Sequence, residues 1–187
     1  MTREEEPMEL AHLQEEELQS IKKSWIEAAG KSTHEAFLAE YQQLFDVIEG
    51  GNSIGELDDR MNVSIFYAVK EGGECKALVQ MVQSQRGSDI WVKMMDIYMC
   101  PDVELTSDTE QITIDRLKIF TTSLIGVFSL TRSVARADTI KVYGRTEALV
   151  TFLRGMHDTL SVLSSLGNMP GIEVSIEGRW LVFRTSR

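Results

Sequence analysis

The segment from Trp91 to Arg154 constrains the fold most, because two short β-rich runs enclose a long stretch of helical periodicity. Ile114, Leu117, Phe120, Leu124, Val127, Phe128 and Val134 recur at three- and four-residue steps, which places them along one helix face. The cap-like group Ser107-Asp108-Thr109-Glu110 precedes them and predicts where the helix starts. Trp91 to Met99 and Thr139 to Tyr143 read as strands on either side, and Pro101 ends the first of them. Strand, helix and strand make a crossover unit, so the two strands are predicted to pair in parallel.

The remaining runs extend that unit into a larger sheet. Ser64 to Lys70 and Cys75 to Ser84 flank Glu71-Gly72-Gly73-Glu74, a turn whose glycines tolerate positive φ, and so predict an antiparallel hairpin. A turn around Arg86-Gly87-Ser88-Asp89 then leads into Trp91, giving a three-strand meander. After Tyr143, Thr146 to Leu166 is expected to be helical, with a break near Gly155. Asn168-Met169-Pro170-Gly171 turns the chain into Ile172 to Ile176 and Trp180 to Arg184, a terminal hairpin about Glu177-Gly178.

The first fifty residues read as two helices. Leu10, Leu13, Leu18, Ile21, Trp25 and Ile26 form one apolar stripe ending at Gly30. Ser32 and Glu35 have capping-box spacing ahead of a second stripe, Phe37, Leu38, Tyr41, Leu44, Phe45 and Ile48, which Gly50 and Gly51 close. The expected organisation is a helical segment, residues 1–51, packed on an α+β domain, residues 52–187.

Composition removes several functions. With 43% apolar residues in 187, the chain has material for a sizeable core. A net charge of -10 opposes binding to nucleic acid, which relies on Lys and Arg to neutralise phosphates, and to anionic membrane surfaces. No apolar run approaches the roughly 20 residues that span a bilayer, and the start Met1 to Glu6 is acidic where a signal peptide is basic, so a cytoplasmic setting is expected. Cys75 and Cys100 read as two buried, reduced thiols. His12, His34 and His157 make no metal-spaced pair, so no metal site is expected. Met81, Met94, Met95 and Met99 read as adaptable core filling. Arg132, Arg136, Lys141, Arg145 and Arg154 concentrate positive charge in the second half and read as a solvated helix face, with an acidic partner or a ligand phosphate as the functional alternative. The acidic run Glu4 to Glu6 is a solvated helix start or an acidic peptide for a basic partner.

The order of elements resembles the GCN5-related N-acetyltransferase (GNAT) superfamily over about residues 64–184. Phe66-Tyr67-Ala68-Val69-Lys70-Glu71-Gly72-Gly73-Glu74-Cys75-Lys76-Ala77-Leu78-Val79 is similar to the family's second and third strands. Trp91 to Pro101 is similar to its fourth, and Thr139 to Gly155 to its fifth strand and following helix. The resemblance implies a mainly antiparallel mixed sheet with a central parallel strand pair, flanked by helices. It also implies that the turn after the fourth strand holds the pyrophosphate of acetyl-CoA on glycine-rich backbone amides. Here that turn is Asp102-Val103-Glu104-Leu105-Thr106-Ser107-Asp108-Thr109-Glu110, with four acids, no glycine and no basic residue. Members often place a tyrosine proton donor in the next helix, where this chain has Phe152.

Two functions follow from the resemblance. The first is a degenerate GNAT-like protein without acetyl-CoA that serves a protein assembly as an interaction or structural component. It would act through a partner or by self-association, with helices in residues 8–50 as the docking element. Small degenerate chains of this kind occur among bacteriophage proteins, so the resemblance allows a phage origin and a virion or host-cytoplasm setting. The second is an acyl-CoA-dependent N-acyltransferase acting on an amine. It takes Leu105, Thr106, Ser107, Asp108 and Thr109 as the cofactor-binding turn, Asp96 or Glu104 as base and Tyr143 as acid. The competing reading of Asp96 is an acid that faces solvent or pairs with a nearby basic residue.

Overall fold

A computed structural model describes residues 7–31, 35–51, 53–57, 61–106, 109–165 and 171–185. Along the chain run β1 (Glu9–His12), α1 (Glu15–Gly30), α2 (Glu35–Gly50), β2 (Ser64–Glu71), β3 (Glu74–Arg86) and β4 (Asp89–Met99). Next come α3 (Pro101–Glu104), α4 (Thr109–Ser133), β5 (Thr139–Tyr143), α5 (Glu147–Ser165), β6 (Ile172–Glu177) and β7 (Trp180–Thr185). The strands follow the order β1-β2-β3-β4-β5-β7-β6. β4 and β5 pair in parallel, while β1–β2, β5–β7 and β6–β7 are antiparallel. This is the mixed sheet with a central parallel pair that the GNAT resemblance implies, so the fold is GNAT-like. Gly72 and Gly73 both adopt positive φ between β2 and β3, which a two-residue hairpin of this twist requires.

Tertiary contacts divide the chain into two compact units, Met1–Glu56 with Ser64–Gln80 and Ile97–Gly126, and Leu57–Val63 with Met81–Asp96 and Val127–Arg187. In the first, α1 packs on α2 through Trp25, whose ring meets Tyr41 and Phe45 edge-on at centroid distances of 5.4 and 5.9 Å. Leu18, Leu44, Phe45 and Ile48 complete that buried layer. The Tyr41 hydroxyl donates to the Met99 carbonyl at 2.8 Å and ties α2 to the end of β4; burial, then the charge of Glu104, pushes its pKa far above the phenolic range. Burial would raise the Glu17 carboxyl, but its bonds from Lys70 and the Gln14 amide hold it below the usual range, so one side chain both caps α1 and anchors it to β2.

In the second unit, Val92, Met94, Ile140, Val142, Leu181 and Phe183 are all buried and form one face of β4, β5 and β7. Phe128 of α4 packs edge-on against Phe183 with centroids 5.0 Å apart, and α5 packs on β6 and β7. Met81 and Met94 are core filling, as expected, whereas Met95 and Met99 are half-buried.

Two expectations are corrected. Residues 9–12, read as the start of a helix, form edge strand β1, and the first helix begins only at Glu15. The stripe of Leu10 and Leu13 is too short to distinguish the two states, and pairing of Leu10 opposite Val69 decides it. The second correction concerns α5, which runs unbroken through Gly155, whose intrinsic cost of about 1 kcal/mol is small beside the packing of Val150 and Leu153. The Ser32 capping box lies outside the described residues.

Gly126 of α4 lets β1 approach the helix, since a Cβ there would lie 2.4 Å from Leu10 Cβ and 2.6 Å from Leu10 Cδ2. Gly126→Val is therefore expected to dislodge β1 and cost about 1–3 kcal/mol from overpacking. Amide exchange at Leu10 and Ala11 reads the effect; unchanged protection with unchanged stability would show that the contact does not hold β1.

Candidate functional site

The turn after β4, in the first unit, is the place where the resemblance puts a phosphate. Cys100 stands at the N-cap of α3 with extended backbone, and Pro101 begins a single helical turn. The N–H of Val103 donates to the Cys100 carbonyl at 3.0 Å, that of Glu104 to the same carbonyl at 3.1 Å, and that of Leu105 to the Pro101 carbonyl at 2.8 Å. These amides are spent within the turn. Burial raises the Cys100 thiol, and the N–H groups of Val103 and Asp102 only partly offset that rise, so the sulfur is kept as a neutral thiol. Pro101 and Val103 are buried, which fixes the turn against the core.

Of the residues named for this turn, Glu104 is ion-paired with Arg116 of α4. Leu105 ends the α3 turn, and the Thr109 carbonyl accepts the Thr113 hydroxyl at the start of α4. Ser107 and Asp108 lie outside the described residues. The cavity beside the turn measures about 330 Å³ and is lined by Ser24, Trp25, Cys75, Lys76, Cys100 and Asp102. Its one cation among the described residues, Lys76, pairs with Glu74 at 2.7 Å; Cys75 is half-buried rather than buried as expected, and desolvation pushes its thiol up to about 12, far from a reactive thiolate.

The second unit holds the other named residues. Pairing of β4 with β5 runs from Trp91 opposite Thr139 to Met94 opposite Val142, and Asp96 follows two residues on. Its Oδ2 accepts from the guanidinium of Arg145, in the turn after β5. This is the paired-acid reading of Asp96, and it leaves the carboxylate engaged where a general base needs an oxygen aimed at a substrate proton. Tyr143 ends β5 with its ring 4.7 Å from that of Trp180. Asp96 and Tyr143 therefore share a unit, while Glu104 belongs to the other unit. Phe152, on α5, is 38% exposed.

Arg179 organises this region and carries no motif that would reveal it in sequence. From the β6–β7 turn, its Nε donates to the Gly144 carbonyl at 2.7 Å and its Nη2 to the Arg145 carbonyl at 2.9 Å, with Nη1 paired to Glu147. The Gly144 N–H returns a bond to the Arg179 carbonyl at 2.8 Å. The turn after β5 is thus held by three acceptors on one guanidinium. Lys141, read with the helix-face cations, instead lies in β5 at 9% exposure and donates to Glu177 at 2.9 Å. Among the described residues no group of three or more His, Cys, Asp or Glu side chains is placed to hold a metal ion, and no helix is long and apolar enough to cross a membrane.

No family model and no curated protein matches the chain. Among solved structures, it is similar to the PaiA N-acetyltransferase of Thermoplasma acidophilum in complex with coenzyme A, at 12% identity over 96% of this chain and 99% of that one, with a TM-score of 0.42. It is also similar to a GNAT family acetyltransferase of Brucella melitensis in complex with acetyl-CoA, at 10% identity over 96% and 89% of the two chains, with a TM-score of 0.45. At such scores the fold assignment rests on this chain's own strand order and parallel β4–β5 pair.

Proposed function

We propose that this chain is a GNAT-like protein that has given up acetyl-CoA binding and serves as a non-catalytic interaction or structural component of a protein assembly. The observation that carries the reading is the β4–α3 turn, whose Val103, Glu104 and Leu105 amides are engaged by Cys100 and Pro101 carbonyls. A pyrophosphate would have to displace those bonds beside Asp102 and Glu104, with no glycine to permit close approach. The engagement of Asp96 by Arg145 supports the same reading.

The proposed docking element is the outer face of α1 and α2. Most of their large apolar residues are used inward, Val47 excepted, and Glu15, Glu16, Glu27, Glu35, Glu40, Asp46 and Glu49 are exposed, which suits a basic partner surface. The proposed setting is cytoplasmic, or a virion or host cytoplasm for a phage-derived chain.

Thermal denaturation with and without acetyl-CoA tests the cofactor half of the proposal. A ligand at about 100 times its dissociation constant stabilises by roughly 2.7 kcal/mol. No shift in Tm at millimolar acetyl-CoA is expected; a saturable rise would restore the acyltransferase reading, with Asp96 or Glu104 as base and Tyr143 as acid.

A further inference from the structure

A second, differently built site lies in the second unit, where β4 and β5 begin, five residues along β4 from Asp96 and so roughly 16 Å away. The face of the sheet opposite the Val92–Phe183 core carries Trp91 and Lys93 on β4, Thr139 and Lys141 on β5, and Arg184 on β7. Three cations gather on the indole of Trp91: Lys141 Nζ lies 4.2 Å from the ring centroid, Lys93 Nζ 5.7 Å and Arg86 Cζ 6.0 Å. Beside the ring opens a cavity of about 530 Å³, lined by Arg86, Asp89, Trp91, Asp138, Lys141 and Arg184. That volume falls within the usual range for small-ligand sites.

Two residues of the lining, Lys141 and Arg184, already hold a carboxylate from outside it. Glu177 accepts from Lys141 through one oxygen and from Arg184 through the other, which shows that these side chains are arranged to hold an oxyanion. Arg184 also donates to Ser175 at 3.2 Å. Arg86 and Lys93 are in a different state. Among the described residues neither has a carboxylate partner, although the chain as a whole carries a net charge of -10. Holding two further cations against the same indole, with Lys141 already there, raises mutual repulsion that an entering anion would relieve. Of the acids on the rim, the Asp89 carboxylate accepts from the Ser88 hydroxyl.

We propose that this cavity binds a small ligand bearing a phosphate or carboxylate group, with Arg86 of its lining as the charge partner, Trp91 as its apolar wall, and Lys93, outside the lining but on the same indole, adding to the positive field. The site is independent of the β4–α3 turn and of any acyl-CoA chemistry. Titration of the full chain with inorganic pyrophosphate and with citrate, at ionic strength held constant with sodium chloride and followed by tryptophan fluorescence, tests it. A saturable change is expected at millimolar ligand or below. It should disappear in Trp91→Phe, which keeps Trp25 and Trp180 as controls, weaken roughly tenfold in Arg86→Ala, the loss expected of one charge-assisted contact, and weaken by less in Lys93→Ala. Both alanine variants alter exposed or half-exposed side chains, and circular dichroism confirms that they fold. Absence of saturation, or an affinity in Arg86→Ala equal to that of the unaltered chain, would overturn the proposal. Saturable binding of a Glu-rich peptide with no response to pyrophosphate or citrate would overturn it in favour of a protein partner.

Discussion

Replacing Trp25 by alanine is expected to cost about 3–5 kcal/mol, the range for truncating a buried aromatic residue. Trp25 is 4% exposed, lies where α1 meets α2, and makes edge-on contacts with Tyr41 and Phe45. Edge-to-face pairs add about 0.5–1.5 kcal/mol beyond the area they bury. Tyr41 is itself tied to the Met99 carbonyl at the end of β4, so the cavity would loosen the anchor of α2 as well as α1. For a chain of this size the loss corresponds to a fall in Tm of roughly 6–20 °C. Urea denaturation measures it directly. A loss below about 1 kcal/mol would mean that α1 and α2 contribute little to the cooperative unit.

Glu177→Gln is expected to destabilise by about 1–3 kcal/mol, because it leaves the Lys141 ammonium, 9% exposed, without a charged acceptor. Its pH dependence identifies the cause. Bonds from Lys141, then Arg184, hold the Glu177 carboxyl below its ordinary value of 4.5. A depressed folded-state pKa contributes stability above the unfolded value, and that contribution is lost as pH falls through the folded one. The difference between the two proteins should therefore be full at pH 7 and shrink as pH is lowered below about 4.5. Because Glu177 is 40% exposed, solvent screening keeps its own Coulombic share modest, and most of the effect comes from Lys141. An equal difference at neutral and acid pH would show that the ion pairs are not its source.

The order of strands and helices from Ser64 onward was legible in the sequence because each element carries its own signal. Gly72-Gly73 marks a hairpin, the α4 stripe has an unambiguous period, and Pro101 stops β4. Residues 9–12 were not legible: four residues are too few for a period, and β1 exists through pairing with β2 and through the room Gly126 leaves for Leu10. The absence of glycine and the acids of the Asp102–Glu104 turn could be read directly, whereas the use of its amides by Cys100 and Pro101 could not, since main-chain bonding leaves no residue signature. Arg179, Arg86 and Lys93 were missed for a related reason, and Lys141 was singled out without its neighbours at Trp91. These residues come from β3, β4, β5 and the β6–β7 turn, and only the sheet register brings the cations of the strands together.

The Val103, Glu104 and Leu105 amides of the turn after β4 are engaged by the Cys100 and Pro101 carbonyls, and we propose that this closes them to a pyrophosphate. Two-dimensional amide NMR of the labelled chain during titration with acetyl-CoA tests it at the atoms concerned. Unmoved resonances for Val103, Glu104 and Leu105 at millimolar acetyl-CoA are predicted. Saturable shifts at those three amides, with their loss of protection from exchange as the Cys100 and Pro101 bonds open, would contradict the account.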